Sequence, residues 1–434
     1  MKKFVLLPAV LLTALALGHA QPLLKLEDAI ALALQKNFDV QLARNDEEIA
    51  KLQNNWGNAG RLPTVNAASS YNFSSNNLDQ RLTNGTVIKR NGATFQQENV
   101  SVSALWRIYN GQRVLAAKTR LEEQEKVGNV QVRQQANLVV YNVITAYLNI
   151  LRLERQLKVT QETLSLFEER RKLAENRFNI GTAGKSDYLQ AAADYNEIKN
   201  NEINLENSII QSKAQLNNLL ARNPNEPFNA EELPTQVQLP NRAELVAGLD
   251  TLNPAMLITK SQLNILVQQH REINSQRLPT VSLTTGAGLN NSNNSAGFTL
   301  RNTTYGPNAG IQVAIPIFQG NVVKQNLKVN QIQQQSQQVQ LNSLRNTLLT
   351  SLANAYNDFE NSKRQYELEL ANQEVVKENN FIAMERFRKA SITTVELRQT
   401  QISLVQSQNR MIDALYQMKQ AEADVLVIMG KLVE

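Results

Sequence analysis

Two copies of one plan make up this chain, and the duplication restricts its architecture more than any other feature. Arg61-Leu62-Pro63-Thr64-Val65 recurs as Arg277-Leu278-Pro279-Thr280-Val281, 216 residues later. Further on the spacing becomes 209 and holds: Tyr109-Asn110-Gly111 corresponds to Phe318-Gln319-Gly320, Ala146-Tyr147 to Ala355-Tyr356, and Arg177-Phe178 to Arg386-Phe387. The seven-residue change falls between the Pro and Gly motifs, where a loop absorbs it. The first copy takes residues 21–222 and the second 241–434. Between them, 223–240 carries Pro224, Pro227, Pro234 and Pro240 and reads as a linker.

Each copy predicts a helix, a strand pair, a long helix and a returning helix. The helices are expected at 26–58, 111–180 and 186–221, then at 241–276, 320–388 and 394–430. In 111–180, Ile150, Leu153, Leu157, Leu164, Phe167, Ala174 and Phe178 advance by threes and fours, with Thr160 and Arg171 as polar breaks. That is a coiled-coil seam. The returning helix repeats it from Tyr188 to Leu219, with Glu202 and Ser212 as breaks, and so does its counterpart from Leu397 to Ile428. At 1.5 Å per residue a 70-residue helix extends roughly 105 Å, so such rods must lie side by side. The strands are expected at 64–74, 94–109, 280–290 and 304–318, where apolar and polar residues alternate with period two. Trp106 and Ile108 fall on the apolar face with Arg107 opposite. Ser74 to Gly92 and Asn290 to Thr304, packed with Asn, Ser, Thr and Gly, are expected to be exposed loops.

Composition narrows the chemistry. Asn and Gln number 92 against 84 charged residues, and a net charge of +6 is too small and scattered for a phosphate footprint, so nucleic acid is not an expected partner. The absence of cysteine excludes disulfides, thiol catalysis and Cys-ligated zinc. His19 and His270 are the only histidines, and His270 reads as a solvated helix-face residue rather than part of a catalytic triad. Gly184-Lys185-Ser186 lacks the leading Gly of a phosphate loop, since position 179 is Asn179. Gly286-Ala287-Gly288 opens into an Asn-rich segment rather than a helix, so the dinucleotide motif fails too. No enzyme site, cofactor or metal is expected.

Lys2 and Lys3 precede an apolar run from Phe4 to Leu17, followed by Gly18-His19-Ala20. This is a secretory signal peptide over 1–20, cleaved after Ala20. Its 14 apolar residues fall short of a spanning helix, and no other segment reaches that length, so entry into a membrane would have to use strands. Four strands per chain cannot close a barrel that needs at least eight; three chains supply 12 and leave no open edge.

The signal peptide, the doubled plan, and Arg177-Phe178-Asn179-Ile180-Gly181 with Asp187 six residues on resemble the TolC family of outer membrane efflux proteins over essentially the whole mature chain. The resemblance implies a mixed, mainly α fold. In it a homotrimer forms a 12-stranded β-barrel in outer membrane lipid, continued by a periplasmic α-helical barrel. It further implies passive conduction of substrate in a tripartite efflux or type I secretion system, with a periplasmic adaptor and an inner-membrane transporter as partners. Adaptor contact would fall on Ile180, Gly181 and Thr182 at one helix reversal and on Lys389, Ala390 and Ser391 at the other. Asp187, Glu396 and Gln399 would line the periplasmic gate, where a ring of carboxylates attracts cations. The family's basic gate partner, four residues before Glu396, is Ile392 here, which leaves Arg388 or Lys389 to close a salt bridge. A periplasmic coiled-coil scaffold or adaptor without a barrel is the alternative; it accounts for the helices and leader but not for the alternating strands.

Overall fold

The computed structural model describes residues 22–236 and 239–433. The expected signal peptide and its cleavage point lie outside the described residues. In chain order the elements are β1 (Leu23–Leu24), α1 (Leu26–Lys36), α2 (Phe38–Gln53), β2 (Thr64–Arg81), β3 (Val87–Asn110), α3 (Arg113–Asn179), α4 (Lys185–Leu219), β4 (Asn229–Ala230), α5 (Arg242–Leu252), α6 (Pro254–Ser275), β5 (Thr280–Asn294), β6 (Arg301–Ala314), α7 (Val322–Arg388) and α8 (Thr394–Met429). The fold is mainly helical with an antiparallel sheet. Two compact units form, and neither coincides with a sequence copy. Of the described residues, the first takes those up to Phe38 and those of Leu138–Leu239 and Asn354–Val425; the second takes those of Asp39–Asn137 and Pro240–Ala353 and those from Leu426 on.

The second unit holds a four-stranded sheet in the order β2-β3-β5-β6, antiparallel throughout. Its strands of 18, 24, 15 and 14 residues outrun the 9–11 that a spanning strand needs. Register puts Val65, Ala67, Tyr71, Val100, Val102, Trp106, Val281, Leu283, Leu289, Tyr305, Ile311 and Val313 on one face. The other face carries Asn66, Ser70, Ser101, Ser103, Ser282, Thr284, Gly286, Gly288, Asn308 and Gln312. Gly286 is required there, because a Cβ would stand 2.6 Å from the Val102 carbonyl oxygen. The Gly-Ala-Gly segment therefore serves strand packing, not a nucleotide.

Three expectations about the strands need correction. The segments read as loops are mostly strand: β2 and β3 join through a turn at 82–86, where the Leu82 N–H donates to the Thr86 carbonyl at 2.8 Å, and β5 reaches Asn294. Small polar side chains do not disturb a ladder made by the backbone, and their polarity hid the strands. Ile108 sits in a β-bulge: Arg107 pairs with Ser282 and Tyr109 with Val281, so Tyr109, not Ile108, continues the apolar row of Trp106. β6 stops at Ala314 instead of 318, since Pro316 has no N–H to give.

The strand-to-helix corner recurs in both copies. Gly111 and Gln112 both adopt positive φ (65° and 68°) before α3, and Gly320 with Asn321 does the same (58° and 62°) before α7. At Gly111 a Cβ would lie 2.7 Å from the Ser275 carbonyl oxygen, so backbone geometry and crowding both demand glycine.

The expected helices 26–58 and 241–276 are each two helices. Asn37 breaks the first and donates its side-chain amide to the Leu219 carbonyl at 2.9 Å. Asn253 breaks the second, donates to the Ile428 carbonyl at 2.7 Å and caps α6 by accepting from the Met256 N–H at 3.0 Å. The pairs 37/253 and 219/428 carry the spacings of the duplication, so the kink is part of the repeated plan. Pro254 enforces the second break, and Asn37 achieves the first without proline.

In the first unit α3 lies between α4 and α8. Gln161 and Asn149 of α3 donate to Glu202 (3.3 Å) and Ser212 (3.0 Å) of α4, while Tyr141 and Gln156 reach Asp424 (2.8 Å) and Asp413 (3.0 Å) of α8. The polar breaks Glu202 and Ser212 are thus satisfied across helices rather than solvated. One 18-residue stretch of α3 reaches a mean hydropathy of 1.2, against the expectation for segments beyond the leader; 56% of it is buried, as in a core helix. The expected linker is also structured: β1 and β4 pair in parallel, and the Tyr147 hydroxyl donates to the Leu24 carbonyl (2.8 Å) and accepts from the Glu231 N–H (2.8 Å). Burial pushes that phenol up to about 12.

Candidate functional site at the helix reversals

Both helical hairpins of the first unit reverse through the same hydrogen-bond pattern. After α3, the Gly181 N–H donates to the Phe178 carbonyl (3.0 Å) and the Thr182 N–H to the Arg177 carbonyl (2.9 Å). After α7, the Ala390 N–H donates to the Phe387 carbonyl (2.9 Å) and the Ser391 N–H to the Arg386 carbonyl (2.8 Å). These are Schellman closures, and they require a left-handed residue at Gly181 (φ 79°) and at Ala390 (φ 56°). Ala390 pays for its Cβ. Ala390→Gly is expected to raise stability by about 1 kcal/mol in denaturant unfolding. A lower stability would contradict the strain assigned there.

Ile180, Gly181, Thr182, Lys389, Ala390 and Ser391 are all exposed. Behind them, Ala383, Met384, Phe387 and Leu397 form a small core with Leu173 and Ile392 against it. Arg177 stacks its guanidinium 4.2 Å from the Phe387 ring centroid and donates to the Phe387 carbonyl, which ties one reversal to the other. Phe178 stacks on Tyr188 at 6.3 Å. The Arg-Phe motif read from the sequence therefore joins the two hairpins.

The three residues expected at the gate separate by role. Glu396 lies in the first turn of α8, where its N–H donates to the Thr393 hydroxyl (3.2 Å), which in turn donates to the Glu396 carboxylate (3.4 Å). This is a helix-capping arrangement, legible as Thr393-Thr394-Val395-Glu396, and a carboxylate there also suits the helix dipole. Asp187 occupies the matching turn of α4, its N–H donating to the Gly184 carbonyl at 3.1 Å. Gly184-Lys185 thus opens a helix after a helical turn, with no strand before it. Gln399 lies one turn beyond Glu396, and the two line a depression of about 290 Å³ with Arg386 and Ile392. Arg388, a candidate partner for the gate acids, instead binds Glu169 (2.6 Å) and Glu385 (2.5 Å).

The strongest electrostatic feature was missed in the sequence. Arg170 is fully buried; its Nη2 donates to Asp194, its Nη1 to Gln401 at 3.0 Å, and its guanidinium lies 4.5 Å from the Phe167 ring. Asp194, also buried, accepts from Arg398 (2.9 Å) and Gln190 (2.7 Å). Burial pulls Arg170 below its usual value and Asp194 opposes this. These charges therefore join α3, α4 and α8. His270, in the second unit, is likewise half-buried, with Nδ1 3.2 Å from the Asn330 side-chain oxygen of α7. Among the described residues no group of three or more His, Cys, Asp or Glu converges on a metal-sized site.

The model of the outer membrane efflux protein family matches residues 29–222 and 244–431, nearly all of both copies. The chain belongs to the outer membrane efflux protein family. The outer membrane protein TolC of Escherichia coli strain K12 is 23% identical to it over 354 residues, which cover 79% of this chain and 69% of that protein. Among solved structures, CusC is similar with a TM-score of 0.78 at 18% identity, over 93% of this chain and 92% of its own. The Vibrio cholerae outer membrane protein VceC gives 0.76 at 16%, over 93% and 96%. The open-state Neisseria gonorrhoeae channel MtrE gives 0.74 at 19%, over 94% and 89%. An outer membrane efflux family member thus has the TolC-like fold, and its relatives are channels rather than enzymes.

Proposed function

We propose that three copies of this chain form an outer membrane exit duct that conducts substrate passively, fed by an inner-membrane transporter through a periplasmic adaptor. The observation that carries the reading is the sheet: four strands, one apolar face, one polar face, and no partner strand among the described residues on the outer edges of β2 and β6. Such a sheet is incomplete alone, and three of them close a 12-stranded barrel with lipid outside and water inside. A heat-sensitive oligomer extracted from outer membranes by detergent is expected. A soluble monomer would reject the duct and favour a periplasmic scaffold.

The exposed reversals supply the adaptor surface in this reading, with Ile180 72% exposed and Val395 73% exposed beside them. The gate uses Glu396, three times in a trimer, with Asp187 and Gln399 nearby. Close like charges attract cations to the opening. Glu396→Gln in single-channel recording is expected to lose cation preference and block by multivalent cations. Unchanged selectivity and block would leave Glu396 with its capping role alone.

A further inference from the structure

At the corner where the sheet meets the helices of the second unit, a pocket of about 610 Å³ is lined by three arginines, Arg107, Arg113 and Arg120. Its one carboxylate, Glu272, is already bound by Arg120 at 2.6 Å. The side chains of Arg107 and Arg113 have no ion-pair or hydrogen-bond partner among the described residues. The bulge at Ile108 builds this arrangement. Without it Arg107 and Asn110 would point to opposite faces; with it Arg107 pairs with Ser282 and Asn110 with Thr280, so both join the polar face. Arg113 opens α3, whose first turn contains no acidic residue, and a cation at the positive end of a helix is unfavourable unless an anion sits near.

The duplication shows that the fold does not need these charges. The positions 209 residues on from Arg107, Arg113 and Arg120 are Pro316, Val322 and Val329, at the same corner of the second copy. Three cations have been placed in one copy only, around a cavity with an apolar wall that includes Ala59, Leu278 and Ile315.

We propose that this pocket is an anion-binding station for a compact solute bearing at least two phosphate or carboxylate groups, held by Arg107 and Arg113 and backed by Arg120. Guanidinium forks match such groups in bidentate geometry. The proposal rests on the duct reading for its location, since the strand residues of the pocket belong to the face that would line the lumen. A solute in transit is therefore the ligand, and a lipid headgroup, confined to the apolar face, is not.

The test is titration of the detergent-solubilised full-length protein with inorganic pyrophosphate, followed by current recording in neutral-lipid bilayers with pyrophosphate added on the barrel side. Wild type is expected to bind pyrophosphate and to be reversibly blocked. In Arg107→Gln/Arg113→Gln both effects should weaken at least about tenfold, a loss of about 1.4 kcal/mol. Arg113→Val, which copies the second repeat, should weaken them in part. Arg61→Gln, a cation stacked on Trp56 outside the pocket, should change neither. Equal binding in wild type and both pocket variants, or an equal loss in Arg61→Gln, would overturn the proposal. Displacement of pyrophosphate by a short-chain phosphatidylglycerol would overturn the choice of a solute over a headgroup. Binding that depends on the arginines in a protein that passes no current would keep the pocket and reject the duct.

Discussion

Asp194→Ala will cost the helical unit about 3–5 kcal/mol, the penalty for stranding a buried charge. The carboxylate is the one negative group between Arg170, which has no exposed surface, and Arg398. Removing it leaves two guanidinium groups facing each other. Arg170 Nε and Gln401 Nε2 have no hydrogen-bond partner among the described residues, so the network has no reserve to absorb the loss. Chemical denaturation of the purified protein measures the change. A loss below about 1 kcal/mol, typical of an exposed pair, would mean that water reaches Arg170 and that the network is not closed.

The second large effect concerns two neighbouring residues of β3. Val102 lies in the middle of the apolar face, between Ala67 and Ala287, while Ser103 points to the polar face opposite Gly286. Val102→Arg should cost about 2–4 kcal/mol per chain at the bilayer midplane, enough to abolish assembled protein in outer membranes. Ser103→Arg should assemble normally, because its side chain lies on the polar face, away from lipid. Immunoblots of unheated outer membranes give the readout. Equal oligomer yields would show that the two faces do not divide lipid from water. The sequence pattern alone selects Ile108 for this experiment, and the bulge is why Val102 replaces it.

That substitution illustrates what the sequence discloses and what it hides. Long periodic elements were legible: the seam from Ile150 to Phe178 and the alternation of Val100, Val102 and Ala104 correspond to α3 and β3 because each depends on a period that burial imposes. The single-residue irregularities were hidden. A bulge at Ile108, or a helix break at Asn37 with no proline to announce it, depends on a partner far along the chain. The buried Arg170–Asp194 pair was hidden for a related reason. A seam analysis assumes one packing face, whereas α3 has two, and Arg170 stands where they meet, bonded to both α4 and α8. At the start of α8, the Thr393-Thr394-Val395-Glu396 capping signal was present in the sequence and accounts for a carboxylate at that place, independently of any ring.

The central claim is that β2 of one chain pairs with β6 of the next until three chains close. The protein has no cysteine, so paired cysteines can be introduced on a clean background. With Ala67→Cys on β2, single cysteines scanned along β6 from Pro307 to Val313 and oxidised in intact outer membranes test this most directly. The account predicts disulfide formation at a restricted register, with covalent dimers and trimers and nothing larger. Monomers at every position, or a ladder continuing past three, would contradict it.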